Sequence, residues 1–304
     1  MKSEKTAIVL ASFGTTVPTA VQSIINIQHH IENAFPQIAV KHTFTSNIIR
    51  KIWKKRQSER DQWLQQGIPA EIIDVKGIIA TIGDLQEDGY RTIIVQPTHI
   101  YAMEQFIDLV SYIEGINQIK TIKKRWMPFD KIVVGRPALG GWGDRYDYRE
   151  DMEKALNTLK DDVELARKEQ ASLVYMAHGN DHMSTGIYGE AQKMMGRLYP
   201  DIQSFFGAVE GYPELEDIVA RLRYHSKNKK VILKPFMIVA GDHAINDMTG
   251  EGPDTWQSVI MKEGFKVLPI LHGLGENHAF AEIFVDHIRD TAGDHDIDLG
   301  LAQK

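Results

Sequence analysis

Ser172-Leu173-Val174-Tyr175-Met176-Ala177-His178-Gly179-Asn180 decides the fold, because Leu173 to Ala177 is an unbroken apolar run closed by a glycine turn. A short run of this kind marks a strand buried on both faces, as parallel strands between crossover helices are. A Met-containing helical segment follows to Leu198, and then Tyr199-Pro200-Asp201-Ile202. The same arrangement stands near the start of the chain. Ala7 to Ala11 is the strand, Ser12-Phe13-Gly14-Thr15-Thr16 its exit, and a helix is expected from about Pro18, with Val21, Ile24, Ile25, Ile31 and Phe35 on its apolar face. Gly14 stands 22 residues before Pro36 of Phe35-Pro36-Gln37-Ile38, and Gly179 stands 21 before Pro200. Matching residue types at matching separations indicate a duplicated unit.

The duplication continues outward. Arg91 to Pro97 has its counterpart in Lys230 to Pro235, and a fourth strand is expected at Lys131 to Gly135 in the first half and Phe265 to Leu271 in the second. The fold class is therefore α/β, with two homologous lobes, each a parallel sheet flanked by helices, and a cleft between them. The boundary is expected at 138/139, giving lobes 1–138 and 139–304. Arg136-Pro137-Ala138-Leu139-Gly140-Gly141-Trp142-Gly143, followed by Asp144, reads as a hinge or cleft loop. It lacks the spacing of a nucleotide-binding phosphate loop, so no nucleotide is expected. Tyr148 to Lys168 reads as one long charged helix. The apolar stripe Ala279, Phe280, Ile283, Phe284 and Ile288 forms a terminal helix that can dock on either lobe.

Composition narrows the function classes. With 304 residues and 43% hydrophobic content, two cores are the default. A formal charge of -6 argues against nucleic acid as a partner. No apolar run approaches the roughly 20 residues that cross a bilayer. Met1-Lys2-Ser3-Glu4-Lys5 leads directly into the first strand, so a cytoplasmic location is the expectation unless a leader has been removed. The chain has no cysteine, so any metal must be held by nitrogen and oxygen ligands.

The first half contains extra helical material at about 51–71. Arg50, Lys51, Lys54, Lys55, Arg56 and Arg60 are interleaved there with Trp53 and Trp63. The readings are a solvated helix whose long side chains cover an apolar face, a basic flank that guides a polyanionic small molecule and, least favoured, an RNA surface.

Ligands of open parallel sheets bind beyond the carboxyl ends of the strands. His178 follows the first strand of the second half, Glu210 the second and His243 the third. Their separations of 32 and 33 residues suit successive βα units. Two imidazoles and a carboxylate suit a divalent ion such as cobalt, nickel, iron or zinc, and the same groups can accept protons. A histidine at a sheet edge can equally cap backbone groups, and a glutamate before Gly211 can serve a turn. His178 aligns with Phe13 and Glu210 approximately with Ser46, so the first half lacks these ligands. His29 and His30 fall on the first long helix, where surface placement is expected. His99 either packs or approaches the cleft from across; His182 and His272 occupy loops; His287 falls on the terminal helix. Asp242, next to His243, can orient its imidazole or cap a helix, two roles that are not exclusive.

Met176-Ala177-His178-Gly179-Asn180, Val209-Glu210-Gly211-Tyr212-Pro213 and Ala240-Gly241-Asp242-His243-Ala244-Ile245-Asn246-Asp247-Met248-Thr249-Gly250 resemble the anaerobic sirohydrochlorin cobalt chelatases of cobalamin biosynthesis. Leu271-His272-Gly273-Leu274-Gly275-Glu276 and Ser12-Phe13-Gly14-Thr15 are similar as well, so the resemblance covers nearly the whole chain. That family is related in architecture to ferrochelatases, with two lobes enclosing a tetrapyrrole. The resemblance implies insertion of divalent cobalt into sirohydrochlorin without ATP, with ferrous iron as an alternative metal, and nickel also suits the donor set. It assigns His178 and His243 as catalytic and metal-binding histidines and Glu210 as a third metal-binding residue. A tetrapyrrole-binding or metal-carrier module without turnover, a metal-dependent hydrolase and a homo-oligomeric assembly stay open.

Overall fold

Alternation within two central strands sets the layers. The computed structural model describes residues 5–141 and 145–300. Its first half runs β1 (Lys5–Ser12), α1 (Val21–Ala34), β2 (Ala39–Phe44), α2 (Asn47–Arg56), α3 (Arg60–Gln65), α4 (Ala70–Ile73), α5 (Ile78–Glu87), β3 (Tyr90–Pro97), α6 (Glu104–Asn117) and β4 (Lys131–Val134). Helices α7 (Tyr148–Asn157) and α8 (Lys160–Glu169) lead into β5 (Ser172–Gly179), α9 (Gly186–Leu198), β6 (Ser204–Glu210), α10 (Leu215–His225) and β7 (Lys230–Phe236). A π-helical turn at Ala244–Met248, α11 (Trp256–Lys262), β8 (Lys266–Pro269) and α12 (His278–Asp294) follow.

The strands form two four-stranded sheets, β2-β1-β3-β4 and β6-β5-β7-β8, with every pairing parallel. The second order repeats the first, as the duplication predicts. Register agrees too: Ala11 pairs with Pro97 and Met176 with Pro235, so each proline holds the same place three residues before its partner strand's exit glycine. Ile8 and Leu10 of β1 and Leu173, Tyr175 and Ala177 of β5 enter one apolar core with α1, α7, α8, α9 and α12. The intervening Ala7, Val9 and Ala11 pack under α5 and α6, and Val174 and Met176 under α10 and α11. Each central strand is thus covered on both faces, which is why its sequence is apolar throughout. Tyr175 stacks on Phe206 at 4.8 Å in the shared core, where truncating the fully buried Phe206 to Ala would cost about 3–5 kcal/mol.

Three expectations are corrected. The segment from Tyr148 to Lys168 is two helices rather than one. Between them the Thr158 hydroxyl donates to the Ala155 carbonyl at 2.6 Å, and Asn277 Nδ2 donates to the Thr158 carbonyl at 2.7 Å, drawing that carbonyl into a tertiary bond. Helix α1 begins at Val21, because Pro18 to Ala20 form a separate turn closed by the Ala20 N–H on the Val17 carbonyl. The fourth strands, β4 and β8, are edge strands of four residues each, shorter than the stretches expected.

Helix α12 packs against α1, α7 and β3 and so reaches across to the first half. Arg136 opens the glycine-rich segment and is anchored by bidentate bonds to Asp151 at 2.7 and 3.0 Å and by Asp290 of α12 at 2.8 Å. Trp142, Gly143 and Asp144 of the expected hinge lie outside the described residues. In the basic insertion, Trp53 is fully buried and its indole N–H donates to the Thr15 carbonyl at 2.8 Å. Arg56 lies between the rings of Trp53 and Trp63, at 4.6 and 4.4 Å, and donates to the Thr16 carbonyl at 2.6 Å. These residues buttress the exit loop of β1, while Lys51, Lys54 and Lys55 are exposed.

Candidate active site

The chain can place Glu210 beside His178 only because a glycine intervenes. Gly179 has φ +81, and a Cβ added there would lie 1.7 Å from the Glu210 carbonyl oxygen. Any side chain would push β5 and β6 apart at their carboxyl ends, where Gly179 and Glu210 are paired. Gly14 repeats the device in the first half, with φ +97 and the Phe44 ring 2.5 Å from where a methyl group would stand. There the residue matching Glu210 is Ser46, which accepts the Ile49 N–H at 3.4 Å and caps α2.

The three residues singled out by spacing come together. His178 Nδ1 lies 3.8 Å from Glu210 Oε2 and 3.2 Å from the Gly179 carbonyl oxygen. The His178 and His243 rings meet edge-on at 4.8 Å and 87°. All three side chains are partly accessible, at 37, 38 and 35% for His178, Glu210 and His243. His243 sits at the start of the π-helical turn, and its Nδ1 is 2.5 Å from Asp247 Oδ2. An Nδ1–H donated to that carboxylate leaves the Nε2 lone pair available as a ligand or proton acceptor. The opposing wall comes from the first half: the Phe13 ring lies 6.0 Å from that of His178, and Thr15 Oγ1 would lie 3.2 Å from a Cβ on Gly241. Among the described residues no three His, Asp or Glu side chains are arranged to hold a metal ion as they stand. Ligation by this trio therefore requires side-chain rotation, which its partial exposure permits.

The remaining candidates divide clearly. Asp242 neither orients His243 nor caps the turn: its Oδ1 accepts from Asn246 Nδ2 at 2.9 Å, and Asp247, one turn after His243, takes the orienting place. His99 lies at the carboxyl edge of the first sheet, with Nε2 3.5 Å from Thr45 Oγ1 and a buried Nδ1 that has no partner among the described residues. Burial holds its pKa down at about 4. His29 is exposed, whereas His30 is drawn into a contact with Glu282 and His278 of α12. His182 is exposed, and His272 pairs with Glu276 at 2.6 Å. His287 is buried between the Arg136 carbonyl and Asp151, at 3.1 and 3.3 Å.

Two contributors are not singled out by sequence reasoning. Asp247 does carry a signal, as an acidic residue four positions after His243, the spacing of side chains on one helical face. The repeat matches Phe13 to His178, but only folding shows the two rings facing each other.

A model of the cobalt chelatase (CbiK) family matches residues 6–293. The chain belongs to this family. It is a metal chelatase, as its motifs led us to expect. Sirohydrochlorin cobaltochelatase CbiKC of Nitratidesulfovibrio vulgaris is 26% identical over 284 residues, covering 93% of this chain and 89% of the relative. The sirohydrochlorin cobaltochelatase of Salmonella typhimurium is 27% identical over 289 residues, covering 94% and 96%. Among solved structures, SirB from Bacillus subtilis with Fe3+ superposes with a TM-score of 0.57 at 12% identity, covering 97% of this chelatase and 99% of that chain. CbiX, the terminal enzyme for biosynthesis of siroheme in denitrifying bacteria, gives a TM-score of 0.51 at 12% identity, covering 93% and 98%. These structures share the chelatase fold of two parallel sheets flanked by helices. No helix among the described residues is long and apolar enough to cross a membrane.

Proposed function

We propose that this chelatase inserts divalent cobalt into sirohydrochlorin without ATP, and that His178, Glu210 and His243 handle the ion. The observation that carries the reading is the meeting of the His178 and His243 rings at 4.8 Å beside Glu210, on the exits of adjacent strands. Support for the substrate comes from the two curated relatives, both named sirohydrochlorin cobaltochelatase and both matched over more than nine-tenths of this chain.

In this mechanism the macrocycle enters between the 1–138 and 139–304 lobes, with Phe13 on one wall and the two histidines on the other. Two imidazoles and a carboxylate present the ion to the pyrrole nitrogens. Entry of one divalent ion displaces two pyrrole N–H protons, which pass to the histidines or to water bonded to them. Distorting the macrocycle exposes its nitrogen lone pairs, and binding energy from its peripheral carboxylates offsets that distortion. The exposed Lys51, Lys54 and Lys55 supply positive charge that favours such a polycarboxylate. Imidazole and carboxylate ligands accept cobalt, ferrous iron and nickel alike, so affinity alone does not choose the metal.

The test is insertion under multiple turnover. Sirohydrochlorin in excess over protein is mixed with Co2+, Fe2+ or Ni2+, and the macrocycle spectrum is followed against enzyme-free controls. Accelerated turnover, fastest with Co2+, is expected. A spectral shift that stops at one equivalent of protein would instead indicate a carrier and would overturn the reading.

A further inference from the structure

A second group of imidazoles lies outside this cluster, where α12 crosses α1. His30 Nε2 faces His278 Nδ1 at 3.0 Å, with ring centroids 5.2 Å apart. The other nitrogen of His30, Nδ1, is bonded to Glu282, which stands four residues after His278 on the same helix. Both backbones are fixed. Asn26 Nδ2, one turn before His30, donates to the Gly275 carbonyl at 2.8 Å. Asn277, immediately before His278, caps α12 by accepting the Phe280 N–H at 3.2 Å and donates to the Thr158 carbonyl at 2.7 Å.

We infer that His30 and His278 form a second divalent transition-metal site, with Glu282 orienting His30 from behind. Two imidazole nitrogens 3.0 Å apart can each reach an ion at about 2.1 Å while subtending an angle of about 90°, the cis angle of an octahedral ion, once both rings turn from facing each other so that their lone pairs converge. A carboxylate on the distal nitrogen fixes the tautomer and orientation of the ring, as it does for many metal-bound histidines. Glu282 makes that contact with Nδ1, so it serves the histidine rather than the ion, and the site is a two-imidazole chelate. His30 is partly accessible, at 20%, and His278 is exposed, so an ion can reach them with its remaining positions held by water. Imidazole donors favour nickel, copper, cobalt and zinc over magnesium or calcium. Without the ion, the same geometry serves as a simple hydrogen bond between the rings.

Equilibrium dialysis of the full chain against Ni2+ tests the site in a His178→Ala/His243→Ala background, which removes the two cleft histidines and makes the result independent of the proposed reaction. That protein is expected to retain about one equivalent of Ni2+. Adding His278→Ala should abolish the retention, and adding Glu282→Gln should weaken it by about tenfold or more. Circular dichroism and thermal melting of each variant establish that the fold persists; if His278→Ala is unfolded, His278→Asn takes its place. No retention in the background protein, or equal retention with and without the His278 substitution, would overturn the inference.

Discussion

The carboxylate of Asp247 approaches the Nδ1 of His243 to 2.5 Å across a single π-helical turn. The contact fixes both the tautomer and the direction of the imidazole that faces His178. Asp247→Asn keeps the shape but removes the charge, and the variant should lose about 10–100-fold in insertion rate or in affinity for the ion. Steady-state kinetics with Co2+ as the varied substrate read both quantities. Unchanged kinetics in a folded variant would show that the contact has no part in the reaction.

A second prediction concerns Gly179, where a methyl group would meet the Glu210 carbonyl at 1.7 Å on a backbone with φ +81. Gly179→Ala should destabilise the protein by more than the about 1–3 kcal/mol of backbone strain alone, and should reduce insertion because Glu210 is displaced with its strand. Gly67 also has positive φ, at +82, but a methyl there has no neighbour within 4 Å among the described residues. Gly67→Ala should cost only the strain and leave insertion unchanged. Chemical denaturation and turnover of the pair separate the two effects.

Stability should fall on the acid side because of His42. Burial lowers its pKa from the usual 6.5 to about 4 despite the opposing charge of Glu32. Its Nε2 is bonded to Gln28 Oε1 at 2.8 Å, and its Nδ1 is buried without a partner among the described residues. Between pH 4 and 6.5 the unfolded chain binds a proton that the folded chain does not. The stabilisation is therefore complete above pH 6.5 and is lost as pH drops toward 4, by up to about 1.4 kcal/mol per pH unit. His99 adds to the loss with the same sign. His42→Gln should flatten this acid limb in urea melts taken from about pH 7 to about pH 4.5, a range that spans most of the interval between the two pKa values. An unchanged slope would contradict the assignment.

Much of this architecture was legible because the punctuation repeats. Gly14 and Gly179, and Pro97 and Pro235, bracket equivalent strands, and backbone sterics at those positions are local enough to be read from residue type. The meeting of His178, Glu210 and His243 followed from the same logic, since parallel strands deliver their exits to one edge. Long-range partners left weaker traces. The break at Thr158 depends on Asn277, more than a hundred residues away, and involves neither Gly nor Pro. Asp242 is a candidate to orient His243 because it is adjacent in sequence, but the π-helical turn brings Asp247 there instead. The basic insertion read as a charged surface, yet Arg56 and Trp53 are committed to the β1 exit loop through carbonyl groups that carry no sequence signature.

The most direct test is the initial rate of Co2+ insertion into sirohydrochlorin by His178→Ala and His243→Ala, each verified as folded by circular dichroism. Both variants are expected to fall close to the enzyme-free rate. Wild-type turnover in both would contradict the assignment of these two imidazoles to the reaction.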